Sequence, residues 1–217
     1  MKIVALVPIK LNSERVPNKN ILTLGKHPMC YHLVNTLLKV NKIDEVCIYC
    51  SDEQVMEYLP VGAVFKKRRK ELDGNLVKGE EIYSSFLREV DADIYILAHT
   101  TSPFTKVESV EHALEKVLYD KYDSAFSAQK VQTFSWYRQN PINYELNHIP
   151  RTQEIEPIYI ETSSFYIFFK ELWEKYRRRI GFCPYIQEVD AIEAVEIDTM
   201  DQFMLAKSIA ESELAKK

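Results

Sequence analysis

Glycine is scarce here, at five residues in 217. The polar loop behind the first apolar run, Ile3 to Val7, has none before Gly25, so it forms neither a G-x-G-x-x-G fingerprint nor a Walker A loop. Long apolar runs are missing too. The opening stretch is too short for a signal-peptide core and no later run is long enough to span a bilayer, so the expectation is a cytoplasmic protein without a membrane partner. There is no cationic excess either: 28 Lys and Arg against 32 Asp and Glu leave a net charge of −4. No global field therefore favours nucleic acid or an anionic membrane, and a highly charged ligand must be held by a local cluster. Cysteine is limited to Cys30, Cys47, Cys50 and Cys183, expected as free thiols. Cys47 and Cys50 form a C-x-x-C without a second pair or a His partner. They lie in an apolar run that reads as a strand, where residues three apart face opposite ways, so packing is expected rather than zinc or redox chemistry. Internal repeats and low-complexity linkers are also absent.

The apolar fraction of 46% and charged fraction of 28% are ordinary for a globular protein. The length suits one α/β domain over residues 1–217. Strands are expected at Lys2 to Ile9, Glu45 to Cys50, Ala63 to Lys66, Ile94 to Ala98 and Ser124 to Ala128. Helical spacing falls between them, at Met29 to Val40, Asp52 to Tyr58, Lys78 to Val90 and Val107 to Tyr119. This rhythm predicts a mostly parallel, Rossmann-like sheet with helices on both faces, whose post-strand loops share one ligand-binding edge. From Val131 to Ile160 the rhythm breaks into Gln, Asn, Pro and Tyr, read as an inserted β-arm. Its Phe134, Trp136, Tyr137 and Tyr144 suit either an interface or a cover for the domain's own core. A strand from Ser164 to Phe169, a helix near Glu171 to Arg178, a strand from Ala194 to Ile197 and a closing helix from Asp201 to Leu214 complete the reading.

Chemistry concentrates at strand ends. The first loop offers Lys10 and then Ser13-x-Arg15-x-Pro17-x-Lys19-Asn20, three cations with free backbone N–H groups where a phosphate would sit. Near the other end, Glu196 and Asp198 are two apart, so on a strand both carboxylates project together, a donor set suited to Mg²⁺. Asp198 or Thr199 also suits the N-cap of the last helix. The run Lys66 to Lys70 is most simply a solvated face. His99 ends an apolar strand as either a structural residue or a donor to ribose, phosphate or acceptor oxygens. Thr101 and Ser102 follow it, where Ser102 or Thr105 suits a helix cap.

These segments together resemble the acylneuraminate cytidylyltransferase family, which activates sialic and related nonulosonic acids with CTP. The Ser-x-Arg-x-Pro-x-Lys form is similar to the sister enzymes that activate 3-deoxy-manno-octulosonate. In sequence order, Ser51-Asp52 resembles the family's Ser-Thr-Asp, and Arg68-Arg69-Lys70-Glu71-Leu72 its Arg-Pro-x-Glu-Leu. Thr101-Ser102-Pro103 resembles Gln-Pro-Thr-Ser-Pro, Arg151-Thr152-Gln153 resembles Arg-x-Gln, and Glu196-Ile197-Asp198 resembles Asp-Ile-Asp. The resemblance implies a nucleotide-diphospho-sugar transferase fold and a homodimer built partly by the arm. It gives Lys10, Arg15 and Lys19 catalytic roles on the phosphates, and a nucleotide site of Ser13, Asn20, Ser51, Asp52, Arg68 and His99. The acidic sugar falls to Thr101, Ser102, Arg151 and Gln153, with Arg151 on its carboxylate. Mg²⁺ falls to Asp198 with Glu196.

The chain departs from the pattern in three places. Glu14-Arg15 replaces Lys-Gly, His99 replaces Gln, and Thr162-Ser163-Ser164 replaces Asn-Gly-Ala. These departures bear on the acceptor more than on the reaction. The expectation is cytidylyl transfer to an acidic sugar with release of pyrophosphate. The alternatives are another acceptor, whether an octulosonate, another sugar or a phosphonate, and a catalytically silent nucleotide-binding scaffold, against which Glu196 and Asp198 argue.

Overall fold

Strand β1 (Ile3–Pro8) is apolar throughout because both of its faces are covered. Ile3, Ala5 and Val7 enter one core layer, while Val4 and Leu6 enter the layer beneath the opposite face. The computed structural model describes residues 1–212. In chain order the elements after β1 are β2 (Thr23–Leu24), β3 (His27–Pro28), α1 (Met29–Leu37), β4 (Glu45–Cys50), β5 (Val64–Lys67), α2 (Gly79–Glu89), β6 (Ile94–Ala98), α3 (Val107–Tyr119), β7 (Ser124–Val131), β8 (Trp136–Tyr137), β9 (Asn140–Pro141), β10 (Ile158–Phe169), α4 (Lys170–Tyr176), β11 (Pro184–Val189) and α5 (Met200–Glu211).

Seven strands form one sheet in the order β11-β7-β10-β6-β1-β4-β5. Every pairing is parallel except those of β10, which runs antiparallel to both β6 and β7. Helices α1 and α3 pack on one face through Leu33, Leu37, Val110 and Leu114. Helices α2 and α4 cover the other through Phe86, Leu172 and Trp173. Cys47 and Cys50 enter opposite layers, as their spacing on a strand predicts.

Four local expectations need correction. The stretch expected as a helix from Asp52 is a 3₁₀ segment, Glu53–Tyr58, opened by Asp52 Oδ1 accepting from Gln54 N at 3.0 Å. Strand β10 begins at Ile158, ahead of the expected Ser164, and its pairing with β7 shifts register between Glu161 and Tyr166. Strand β11 has no counterpart in the sequence reading. The expected strand from Ala194 to Ile197 is an irregular segment instead. There the Asp190 carboxylate accepts from Ile192 N and Glu193 N, bending the chain away after β11. The Val195–Ile197 alternation that imitates a strand comes from packing onto Leu24, Met29 and Phe203, a small cluster beneath α5. Helix α5 is described to Glu211, and its expected end at Leu214 lies outside the described residues.

The insertion forms an arm. The β8–β9 hairpin is two residues a side, and Phe134 and Trp136 gather around Tyr144 with ring centroids 4.8 and 6.3 Å away. Trp136 and Tyr137 stay exposed. No helix among the described residues is long and apolar enough to cross a membrane.

Candidate functional site

The carboxyl ends of β1, β5 and β6 open into a cleft of about 540 Å³. It is lined by Lys10, Ser13, Arg15, Lys19, Asn20, Arg68, His99, Thr101, Glu196 and Asp198, all expected from sequence, together with Glu14, Asn75, Tyr83, Ser163 and Arg179. Parallel strands end on one edge, so residues far apart in sequence meet there.

The first loop is held at several points. Asn20 Nδ2 donates to the Lys10 carbonyl at 2.7 Å, and Thr100 Oγ1 donates to Asn20 Oδ1 at 2.6 Å, tying the loop to the end of β6. Lys10 Nζ donates to Asn75 Oδ1 at 2.7 Å, and Asn75 in turn donates to Glu14. Lys19 is buried, with Nζ 2.8 Å from the Ile197 carbonyl and 3.2 Å from Asp198 Oδ1. The exposed Arg15 reaches the same carboxylate oxygen at 2.9 Å.

Glu196 and Asp198 reach the cleft without a strand. Ile197 N donates to the Thr101 carbonyl at 2.8 Å, so the irregular segment docks against the loop after β6. The cap of α5 is Thr199, whose Oγ1 accepts from Gln202 N while Gln202 Oε1 accepts from Thr199 N. Asp198 is therefore not consumed as a cap, and its carboxylate faces the cations. Burial and then the neighbouring Asp198 charge push the Glu196 carboxyl upward, whereas Lys19 and Arg15 pull it down.

Arg68 is only 2% exposed and acts as a clamp. It donates to the Tyr49 carbonyl at 3.2 Å, to the Ile9 carbonyl at 2.9 Å, and through both Nε and Nη2 to Asp73 Oδ1 at 3.1 and 2.6 Å. These bonds join the end of β4 to the loops after β1 and β5. Ser51 donates to Asp73 as well, so it stands behind Arg68 and off the cleft wall.

His99 Nδ1 lies 2.7 Å from the Ser163 carbonyl, which can only accept, so Nδ1 carries the proton. Nε2 then accepts from the Tyr83 hydroxyl at 3.2 Å. Burial, reinforced by the Arg179 charge, lowers its pKa to about 4, leaving the ring neutral near pH 7. Ser163 has a left-handed backbone, φ 54°, within the register shift of β10. It occupies the middle of the triplet that departs from Asn-Gly-Ala.

Four expected residues join Ser51 outside the cleft. Asp52 caps the 3₁₀ segment. Ser102 is buried and donates to the Thr162 carbonyl at 3.3 Å. Arg151 lies on the arm, its side chain 79% exposed and paired with Glu154, and Gln153 is exposed beside it. Tyr83 and Arg179 follow no sheet strand directly, and Asn75 lies late in the long loop after β5, so none is marked by the strand-end rule. The Arg177-Arg178-Arg179 run was the available signal.

Such a cleft, with cationic loops facing two carboxylates at the carboxyl edge of a largely parallel sheet, defines a nucleotide-handling α/β protein. The family model described as Cytidylyltransferase matches residues 4–216, and the chain belongs to that family of nucleotidyltransferases. N-acylneuraminate cytidylyltransferase of Streptococcus agalactiae serotype V is 22% identical over 221 residues, covering 94% of this chain and 52% of that protein. The chain thus spans about half the length of that relative. Pseudaminic acid cytidylyltransferase of Campylobacter jejuni serotype O:2 is 22% identical over 187 residues, covering 80% of this chain and 81% of that one. Among solved structures, a CMP:2-keto-3-deoxy-manno-octonic acid synthetase complexed with CTP aligns with a TM-score of 0.72 at 16% identity, over 96% of this chain and 98% of its own. A 4-diphosphocytidyl-2C-methyl-D-erythritol synthase from Anaerococcus prevotii aligns at 0.65 and 13% identity, over 97% and 96%. At these identities the structural likenesses speak for the fold, a mostly parallel sheet with helices on both faces.

Proposed function

We propose that this chain transfers the cytidylyl group of CTP to a hydroxyl of an acidic sugar, a sialic or other nonulosonic acid, releasing pyrophosphate. The observation that carries the reading is the convergence of Lys10, Arg15 and Lys19 on the same cleft as Glu196 and Asp198. The acceptor hydroxyl gives up its proton to solvent as its oxygen attacks the α-phosphorus in line and the bond to the β-phosphate's bridging oxygen breaks. Lys19 and Arg15 offset the charge that grows on the leaving pyrophosphate, and the Asn20–Thr100 bond keeps their loop in place for it. Arg68 acts by holding the end of β4 and the loops after β1 and β5 in register, since its own donors are largely engaged. His99 serves as a neutral wall: its remaining lone pair already accepts from Tyr83, and a base so weak abstracts protons poorly.

Magnesium belongs to the same proposal. Two carboxylates facing a cleft lined by three cations suit this ion, which is usually held by one or two carboxylates plus substrate phosphates and water. Asp198 and Glu196 would hold it, and when bound it supplies charge neutralisation on the phosphates. A second copy of the chain meeting the exposed Trp136, Tyr137, Tyr159 and Ile160 on the arm completes the reading.

The test is pyrophosphate release from CTP against acceptors including N-acylneuraminate, pseudaminic acid and 3-deoxy-manno-octulosonate. It runs beside melting curves with each of four nucleoside triphosphates, with and without Mg²⁺. The reading expects a stabilisation that is largest for CTP and depends on Mg²⁺, with turnover on at least one acid. A chain that binds CTP but turns over no acceptor would be the silent scaffold.

A further inference from the structure

Arg179 stands on the wall of the cleft with Tyr83, His99 and Ser163. Its guanidinium lies 3.7 Å from the centroid of the Tyr166 ring. Stacking engages the face of the planar cation and leaves its N–H edge available for a carboxylate. The carboxylate paired with it is a poor competitor. Glu161 Oε2 is 3.7 Å from Arg179 Nη2, and the same oxygen accepts from the Tyr166 hydroxyl at 2.8 Å. The neighbouring Tyr83 hydroxyl and His99 imidazole are neutral near pH 7, so neither opposes the Arg179 charge, which its loose Glu161 pair offsets only in part. Tyr83 and Arg179 also border an adjoining open hollow of about 400 Å³ lined by Lys78, Glu80, Trp173 and Arg177, which leaves room for a bulky acceptor. Arg151, the residue expected for the acid, lies exposed on the arm.

Resting on the cytidylyl-transfer reading, we infer that Arg179, fixed on Tyr166, receives the carboxylate of the acidic acceptor and sets the preference for an acid. The wall that departs from the family pattern, His99 and Ser163, is the wall that presents it. Phosphate binding stays with the first loop, so Arg179 divides the cleft into a nucleotide half and an acceptor half.

Steady-state pyrophosphate release tests this with wild type, Arg179→Ala and Arg179→Lys. The acceptors are an N-acylneuraminate, a 3-deoxy-octulosonate, and the carboxamide of each in place of its carboxylate. Arg179→Ala should raise the acceptor KM about tenfold or more, with the CTP KM within about twofold. Arg179→Lys should fall between, keeping the charge and losing the fork. The carboxamide should be poor for wild type and bring little further loss in Arg179→Ala, the signature of a pair already broken. An unchanged CTP-induced melting shift certifies the fold and the nucleotide half of each variant; where Ala fails it, Arg179→Lys carries the comparison. An equal carboxamide penalty in wild type and variant, or a rise in CTP KM in place of acceptor KM, overturns the assignment while leaving cytidylyl transfer intact. Wild type that turns over neither acid, nor pseudaminic acid, overturns both.

Discussion

Lys19 Nζ lies 3.2 Å from Asp198 Oδ1, joining the first loop to a segment 179 positions later. The lysine is buried and the aspartate is partly open, so the pair organises the cleft floor while one carboxylate face still meets solvent. Arg15 reaches the same oxygen from the exposed side. Lys19→Met should remove nearly all turnover and cost about 2 kcal/mol of stability, because the Ile197 carbonyl also loses its donor. Arg15→Ala, exposed, should cost turnover with little stability. Near-normal rates in both variants would remove the phosphate assignment; urea melts and pyrophosphate release measure the two effects.

Arg68 carries a different expectation. Because it bridges the ends of β1 and β4 and the loop after β5, Arg68→Met should destabilise the chain by about 3 kcal/mol and strand Asp73 without its cation. Arg68→Lys should recover only part of this, since one ammonium cannot span the same acceptors. Chemical denaturation reads the loss directly, and a variant within about 0.5 kcal/mol of wild type would contradict the clamp.

His99 predicts an acid-side loss of stability. Between its ordinary 6.5 and about 4, the unfolded chain takes up a proton that the folded ring refuses. Stability therefore falls as pH drops through this window, by up to about 3 kcal/mol from this group. His99→Gln should flatten that part of the melting-temperature profile. Identical pH profiles for variant and wild type would mean the ring is not held neutral.

Ser163 holds φ at 54°, where a Cβ is costly. Ser163→Gly should leave stability within about 1 kcal/mol of wild type. Ser163→Val should lower it by about 2 kcal/mol, since a β-branched residue fits this region worse, and should loosen His99 through the Ser163 carbonyl. Equal melting temperatures for Gly and Val variants would argue against a left-handed Ser163.

Thiol chemistry should be uneven. Cys30, Cys47 and Cys50 are buried and burial raises each thiol's pKa, Cys30 to about 12, whereas Cys183 is exposed. A colorimetric disulfide reagent should titrate about one thiol promptly in the native chain and the other three on unfolding. Fast native reaction of Cys47 or Cys50 would point to a working C-x-x-C pair.

Much of this molecule is legible in its residues because the relevant forces are local. Apolar runs of five or six residues between helical stripes specify buried parallel strands and their covering helices, and Glu45–Cys50, Ile94–Ala98 and Val107–Tyr119 need no tertiary information to place. The cations of the first loop follow from their position after β1. Other features depend on what packs against what. The Val195–Ile197 alternation imitates a strand, and only the docking of that segment on Thr101 and Lys19 carries Glu196 and Asp198 into the cleft. Arg68, Arg151 and Arg179 are equivalent as letters. Burial turns the first into a clamp, exposure leaves the second on the arm, and stacking on Tyr166 aims the third across the acceptor wall. Sequence determined the sheet, the helices and the phosphate loop through short-range periodicity. Tertiary structure decided which distant side chains share one cleft, because charge, burial and hydrogen bonding act through space.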